Sequence, residues 1–253
     1  MIFMDNKVLE IKNLKKIYHD KSCEILSLDD ISFSVNNHEF ISIVGPSGCG
    51  KSTILGILSN ILDYTSGVIK FNKDNPKIGY MLQEDALLEW KTVLENCLLG
   101  LELANKLTKE NKQKVIFLLK KYGLGDFINS YPKSLSGGMR QRVALIRTLA
   151  INPDILLLDE PFSALDYQTR LSLSDEIYKI IKEEGKTAIM VTHDIAEAIS
   201  MSDRIVVLTK RPATVKKIHD IILEKKGTPT QNRKDANFVS YYETIWKELD
   251  CHV

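Results

Sequence analysis

Gly45-Pro46-Ser47-Gly48-Cys49-Gly50-Lys51-Ser52-Thr53 fits the phosphate-binding pattern G-x-x-x-x-G-K-[ST], with Gly45, Gly50, Lys51 and Ser52 on its fixed positions. Phe40-Ile41-Ser42-Ile43-Val44 just before it has the composition of a buried strand. Ile54, Leu55, Ile57, Leu58, Ile61 and Leu62 just after it recur at helical spacing. In that strand-loop-helix order, glycines let the backbone curl until its N–H groups converge on an anion. The helix N-terminus adds partial positive charge. Lys51 can reach the β- and γ-phosphates of a nucleotide, and the Ser52 hydroxyl can ligate Mg²⁺. An ordinary Gly-rich turn before a helix is the competing reading, and the full motif in this setting outweighs it. The loop alone says nucleotide phosphate, not which machine uses it.

Around that loop, 253 residues allow one large domain or one domain with an insertion. With 44% hydrophobic and 26% charged residues the chain is globular rather than disordered. A formal net charge of +1 gives no bulk attraction to nucleic acid. Cys23, Cys49, Cys97 and Cys251 are widely spaced and form no C-x-x-C pair. That argues against a disulfide framework or zinc site and for free thiols in a reducing cytosol. Met1-Ile2-Phe3-Met4 is apolar, but Asp5 ends it far short of a signal-peptide core. No apolar run approaches the roughly 20 residues of a membrane span. A role at a membrane would come from docking to another subunit.

Upstream of the loop, residues 8–14 and 25–35 read as half-buried strands around a turn, with Tyr18 between them. Downstream, residues 67–71 and 78–82 read as two strands joined by a polar turn, with Gln83 at the end of the second. From residue 84 to 134 the spacing becomes helical. Val115, Leu118, Leu119 and Tyr122 fall at i, i+3, i+4 and i+7, and Gly123 is the stop. Lys106, Lys109, Lys112, Lys114, Lys120 and Lys121 are read as a solvated face rather than a nucleic-acid patch. A helix opens at residues 135–142, runs through Ala150 and is closed by Pro153. Ile155-Leu156-Leu157-Leu158-Asp159-Glu160 has the continuous apolar run of a parallel-sheet strand. A helix over 167–184, a strand over 187–191, another helix and a last core strand over 204–209 follow. Residues 225–236 read as loop and 238–249 as a C-terminal helix. Strands alternating with helices give an α/β fold with a parallel sheet.

The chemistry-bearing residues fall at strand ends. Asp159 and Glu160 close a buried strand, which in an open parallel sheet is the ligand edge. A carboxylate there can hold Mg²⁺ through water, and its neighbour can deprotonate an attacking water. His193 follows a strand at the same edge, within reach of a γ-phosphate. Ser136-Gly137-Gly138 before a helix offers a second set of backbone N–H groups for an anion. The helical region separates it from Lys51, so a partner chain is expected to supply the second phosphate-binding surface.

The ordered set of residues 45–53, Gln83, Leu135-Ser136-Gly137-Gly138-Met139-Arg140-Gln141, 155–160, Ser163-Ala164-Leu165-Asp166 and His193 resembles the nucleotide-binding subunit of ATP-binding cassette (ABC) transporters. The resemblance spans residues 8–212, and L-S-G-G-x-x-Q is its most specific part. It implies a P-loop NTPase fold with a parallel core sheet, an antiparallel β edge and an inserted helical subdomain. Residues 1–83 would be the RecA-like core with the antiparallel β subdomain and P-loop, and 84–140 the helical subdomain with the signature. Residues 141–212 would complete the core, and 213–253 would be a C-terminal extension. It implies ATP and Mg²⁺ as cofactors, held by residues 45–53, with Ser52, Gln83 and Asp159 around the metal. Tyr18 matches the aromatic that stacks on adenine. Gln83 matches the residue that senses Mg²⁺ and the permease. Ser136, Gly137 and Gly138 would hold the γ-phosphate of ATP on the opposite subunit. Glu160 would be the catalytic base, Asp166 a dimer-interface link and His193 the γ-phosphate switch.

Residues 81–90, 166–170 and Arg211-Pro212 look like the nitrate, sulfonate and taurine importer group, whose relatives carry thiamine-precursor pyrimidines or riboflavin. Glu89 and Tyr167 depart from that group, where a Pro and a small residue are usual. The expected function is therefore an ATP-hydrolysing importer subunit at the cytoplasmic face of the membrane. Its expected partners are a second copy of the chain, permease subunits and, indirectly, an extracytoplasmic solute-binding protein, with no nucleic acid. Trp90, set between Glu89 and Lys91, suggests a rim where a short permease helix docks. A soluble ABC ATPase working on nucleic acid or ribosomes is the alternative. Against it, the interval between P-loop and signature is short and lacks heptads, and the chain has one cassette. Intact Lys51, Glu160 and His193 argue against a non-hydrolysing scaffold.

Overall fold

The strand that feeds the phosphate loop is buried on both sides, and this sets the architecture. In the computed structural model, which describes residues 6–19, 23–163 and 165–250, the chain begins with β1 (Lys7–His19), β2 (Glu24–Asn36), β3 (Phe40–Val44), α1 (Lys51–Leu58), β4 (Ser66–Phe71) and β5 (Ile78–Met81). It continues through α2 (Val93–Leu103), α3 (Lys109–Lys121), α4 (Gly137–Ala150), β6 (Ile155–Asp159) and α5 (Tyr167–Glu183). Then come β7 (Thr187–Thr192), α6 (Ile195–Met201), β8 (Arg204–Leu208), β9 (Val215–Asp220), α7 (Pro229–Asn232) and α8 (Phe238–Asp250).

The six-stranded sheet has the order β5-β6-β7-β3-β8-β9. Its pairs are parallel except β8 with β9. All five residues of β3 and of β6 are buried. A continuous apolar strand thus divides its side chains between two faces. Leu156, Leu158, Ala188 and Met190 pack towards α2–α5, whereas Leu157, Ile189, Ile41 and Ile43 pack towards α1 and the second sheet. Val44, Ile205 and Val207 take α6 and α8. Each such Leu or Ile stabilises the fold by roughly 1.5–3 kcal/mol.

The second sheet is antiparallel, β2-β1-β4. Here the sequence pattern misleads in three places. The strands at 66–71 and 78–81 do not form a hairpin, because β4 pairs with β1 and β5 pairs with β6. Tyr18 lies inside β1 opposite Ile25, not between strands. The helix after the phosphate loop stops at Leu58, leaving Ile61 66% exposed.

Helix starts follow local chemistry. Thr92, Thr108, Ser136, Asp166 and Asp194 each cap a helix by accepting a backbone N–H three residues on. Gly185 follows α5 as expected. After Leu208 the sheet gains one more strand, β9, and α7 interrupts the stretch read as loop. β9 has no fully buried position and no alternation of burial, too weak a pattern to be seen as a core strand.

Candidate functional site

β3 delivers Gly45 to the C-terminal edge of the sheet, and the loop turns back into α1. Gly48 has φ +70° and Gly50 φ +122°. A Cβ on Gly50 would also stand 2.7 Å from Leu28 Cδ2, so both geometry and space require glycine there. α1 has no side-chain cap and no acidic residue in its first turn. Its first N–H groups therefore remain available to an anion. Lys51 is buried, and its Nζ donates to the carbonyls of Gly45 at 2.9 Å and Pro46 at 3.1 Å. Cys49 turns its thiol into the core, where burial pushes its pKa up. It can serve the loop only through its backbone.

The two acids after β6 are treated differently. Asp159 is buried, and both of its oxygens accept hydrogen bonds: Oδ1 from Ser52 Oγ and Oδ2 from the Tyr80 hydroxyl, each at 3.0 Å. Burial raises its pKa, the two hydrogen bonds oppose that shift and the neighbouring Glu160 adds to it. Burial first, then the Asp159 charge, drives the Tyr80 phenol well above its ordinary range. Glu160 sits at φ +43°, a conformation costing a non-glycine residue on the order of 1–2 kcal/mol and typical of functional sites. Its Oε2 lies 3.0 Å from His193 Nδ1, beyond the end of the neighbouring strand. Gln83, two residues past β5, donates to Ser163 Oγ at 3.3 Å, and Ser163 donates to the Glu160 carbonyl at 3.1 Å. Gln83 is thus linked to the backbone of Glu160 rather than to Asp159 or Ser52.

A cleft of about 370 Å³ joins the loop residues 47–48 and 50–53 to Tyr18, Ser27, Glu160 and Arg211. The Tyr18 hydroxyl lies 3.2 Å from Thr53 Oγ1, and the Lys16 ammonium stands 4.9 Å over the Tyr18 ring. Two contributors escaped sequence reasoning as site residues. Arg211 was read only as a group marker. Tyr80 carried one signal, its parity on β5, which puts it on the same face as Ile78 and towards the α1 side.

The second candidate anion surface stands elsewhere. Ser136 caps α4 by accepting the Met139 N–H at 3.3 Å. A Cβ on Gly137 would meet Leu165 Cδ2 at 3.2 Å, and one on Gly138 would meet Thr169 Cγ2 at 3.5 Å. The signature therefore lies against the start of α5, where Asp166 accepts the Thr169 N–H at 3.0 Å. None of Ser136, Gly137, Gly138 or Asp166 lines the cleft of the phosphate loop. Ala164 lies outside the described residues. From α5, Arg170 reaches the loop after β7, donating to Leu165 O at 3.2 Å and pairing with Asp194 at 3.4 Å and Glu197 at 3.7 Å. Burial, followed by the Asp194 charge, pushes the Glu197 pKa up to about 7.

One sheet edge thus holds a phosphate cradle, a buried carboxylate beside its serine, and a carboxylate–histidine pair. That is the working end of a P-loop nucleoside triphosphatase. The ABC transporter family profile matches residues 28–163, and the chain belongs to that family. It is 46% identical over 248 residues to the uncharacterized ABC transporter ATP-binding protein YtlC of Bacillus subtilis, covering 96% of this chain and 95% of the relative. It is 39% identical over 243 residues to the taurine import ATP-binding protein TauB of Pelagibacter ubique, covering 92% of each. Among solved structures it resembles the ATP-binding cassette MJ0796, a dimer in a post-hydrolysis state bound to ADP and Pi. The TM-score is 0.71 at 34% identity, over 85% of this chain and 99% of the other. The chain is an ATPase of this family. ATP with Mg²⁺ suits the donors: Mg²⁺ takes one or two protein oxygens and completes its shell with phosphate and water. Ser52 and Asp159 supply two such oxygens 3.0 Å apart. Among the described residues no helix is long and apolar enough to cross a membrane.

Proposed function

We propose that the chain powers import of a small organic anion of the sulfonate class, as one of two cassettes that close on ATP beneath a permease. The observation that carries this reading is the separation within one chain of a complete phosphate cradle from the signature. Each ATP would lie between residues 45–53 of one copy and Ser136, Gly137 and Gly138 of the other, with Asp166 beside the junction and adenine against Tyr18. Mg²⁺, held by Ser52 and Asp159, would neutralise developing phosphate charge. Glu160 takes a proton from water. The water oxygen bonds to the γ-phosphorus as the bond to the bridging oxygen breaks, giving ADP and phosphate. His193 orients Glu160 and the departing phosphate, and Lys51 steadies the phosphate oxygens.

The substrate class is drawn from relatives named for the import of taurine and of aliphatic sulfonates. The permease, the binding protein and the cytoplasmic face follow from the resemblance. Residues 84–140 are assigned as the helical subdomain between the two parts of the core, 1–83 and 141–212, with 213–253 as an extension. Its first stretch is held rigid by buried Asn96, which binds Leu88, Lys91 and Thr92, and by Arg147, which binds the Asp85 and Ala86 carbonyls. Trp90 projects from it, 73% exposed, and is assigned to the permease helix.

Mixing two inactive variants tests the shared site. Lys51→Ala and Ser136→Arg should each abolish turnover alone. Their mixture should recover part of it, because the mixed dimer has one intact composite site. Full turnover by either variant alone would overturn the reading.

A further inference from the structure

Most lysines of the helical region are solvated, as their sequence pattern suggests, but Lys106 and Lys114 rim a concavity together with Lys77 and Lys186 of the core. At the N-terminal edge of the parallel sheet, opposite the phosphate loop, α3, the end of α2 and the turns before β5, β6 and β7 enclose a groove of about 650 Å³. That is within the range of small-molecule sites. Its floor is apolar, formed by Leu101, Leu118, Leu149 and Ile151, and Phe117 stands at its mouth 63% exposed. Lys77, Lys106, Lys114 and Lys186 surround it.

The acids in reach are already engaged. Glu110 pairs with Lys114 at 2.7 Å, Glu184 pairs with Lys121 at 3.0 Å and accepts the Tyr122 hydroxyl at 2.8 Å, and Asp154 pairs with Lys73 at 2.9 Å. Among the described residues, Lys77, Lys106 and Lys186 form no ion pair. Lys186 is half-buried and gives one hydrogen bond, to Asn152 Oδ1 at 2.5 Å. Burial lowers its pKa, Glu184 and Asp154 oppose the shift, and Lys77 adds to it. Two cations that repel each other over an apolar floor are costly without a counter-ion.

We propose that this groove binds a small organic anion, with its apolar body on Leu118 and Phe117 and its acidic head between Lys77 and Lys186. The concavity is sized for a small molecule and not for a flat partner surface. Its apolar floor suits neither a nucleoside triphosphate nor a free inorganic ion. Occupancy would tie α3 to the sheet edge and so set how freely the helical region moves against the core.

The probe is anilinonaphthalene sulfonate, an aromatic body with one sulfonate, titrated by fluorescence into the full chain. N-phenylnaphthylamine serves as its uncharged counterpart. Saturable binding near one dye per chain is expected, unaffected by saturating ATP. The double variant Lys77→Gln/Lys186→Gln should weaken it about tenfold or more while keeping basal ATP hydrolysis. Lys106→Glu, an exposed change that spares the fold, should weaken it as well. The proposal is overturned if Lys106→Glu, or the folded double variant, binds the dye like the parent chain. Equal binding of the uncharged dye, or displacement of the sulfonate by ATP, would also overturn it.

Discussion

Two helix N-termini in this molecule carry the same raw material and differ in what surrounds them. Both α1 and α4 begin without an acidic residue in the first turn, and both are entered through glycine-rich sequence. The start of α1 has no side-chain cap, holds a buried lysine within the loop, and faces a carboxylate at the end of β6. The start of α4 is capped by its own serine and has Leu165 and Thr169 as neighbours of its glycines. The first has a lysine and a carboxylate already in place, whereas the second is proposed as a wall completed by another chain. The lesson is that a shared local motif makes equal offers of backbone N–H groups, and only the elements packed around it decide whether the site is whole.

The largest expected effect tests whether α4 is that missing wall. Glu160→Gln keeps the shape of the site and removes its proposed base, so turnover should fall by about 10²–10⁴. ATP should then persist and hold two chains together. Light scattering with ATP and Mg²⁺ should report a dimer, and a chain that stays monomeric at high concentration breaks the comparison.

A second effect concerns Glu197, which accepts the Thr192 hydroxyl and faces Arg170. Glu197 holds its proton in the folded chain up to about pH 7, against an ordinary value of 4.5. Between those values the folded state binds more protons than the unfolded state, so stability is full at low pH and falls as pH rises through about 7. Glu197→Gln should remove this fall. Denaturant titrations across that window should show the parent chain losing on the order of 3 kcal/mol relative to the variant. Parallel pH profiles for the two proteins would show that the Arg170–Glu197 contact is not titrating.

A smaller effect separates the two walls again. The Tyr80 hydroxyl holds the second oxygen of Asp159. Tyr80→Phe should weaken Mn²⁺ binding in the presence of nucleotide about tenfold, as read by the Mn²⁺ electron spin resonance signal. It should leave the Ser136 surface untouched, so ATP-driven dimerisation at saturating metal should match the parent chain. Unchanged Mn²⁺ affinity counts against a positioning role for Tyr80.

The smallest effect on the isolated chain is expected at Trp90. Trp90→Ala should leave basal hydrolysis within about twofold, since surface changes away from buried features are nearly neutral. Co-purification with the permease should drop. Normal co-purification would place the docking surface elsewhere.

Much of the fold was legible because its signals are local. The phosphate loop, the strand-ending acids and the caps at Ser136 and Asp166 depend on a few covalent neighbours, and a strand or helix announces itself by period. Where pairing partners lie far apart in sequence, the pattern gave the element but not its place. β4 and β5 look alike as short strands seven residues apart, yet they belong to different sheets because β1 and β6 compete for their edges. β9 was hidden because an edge strand with exposed lysines has no apolar signature.

By itself, the sequence marked residues 45–53 as a phosphate loop and the serine and glycines at 136–138 as a second candidate anion surface. Those facts are written in contiguous motifs whose backbone geometry is nearly independent of context. Only the tertiary structure decided that Tyr80 and Ser52 share the two oxygens of Asp159 and that Arg211 closes the cleft. It alone brought Lys77 and Lys186 to one groove from turns more than a hundred positions apart in the chain. These are contacts between residues that no periodicity relates. They exist because burying both faces of one parallel sheet leaves each long-range neighbour little choice of place.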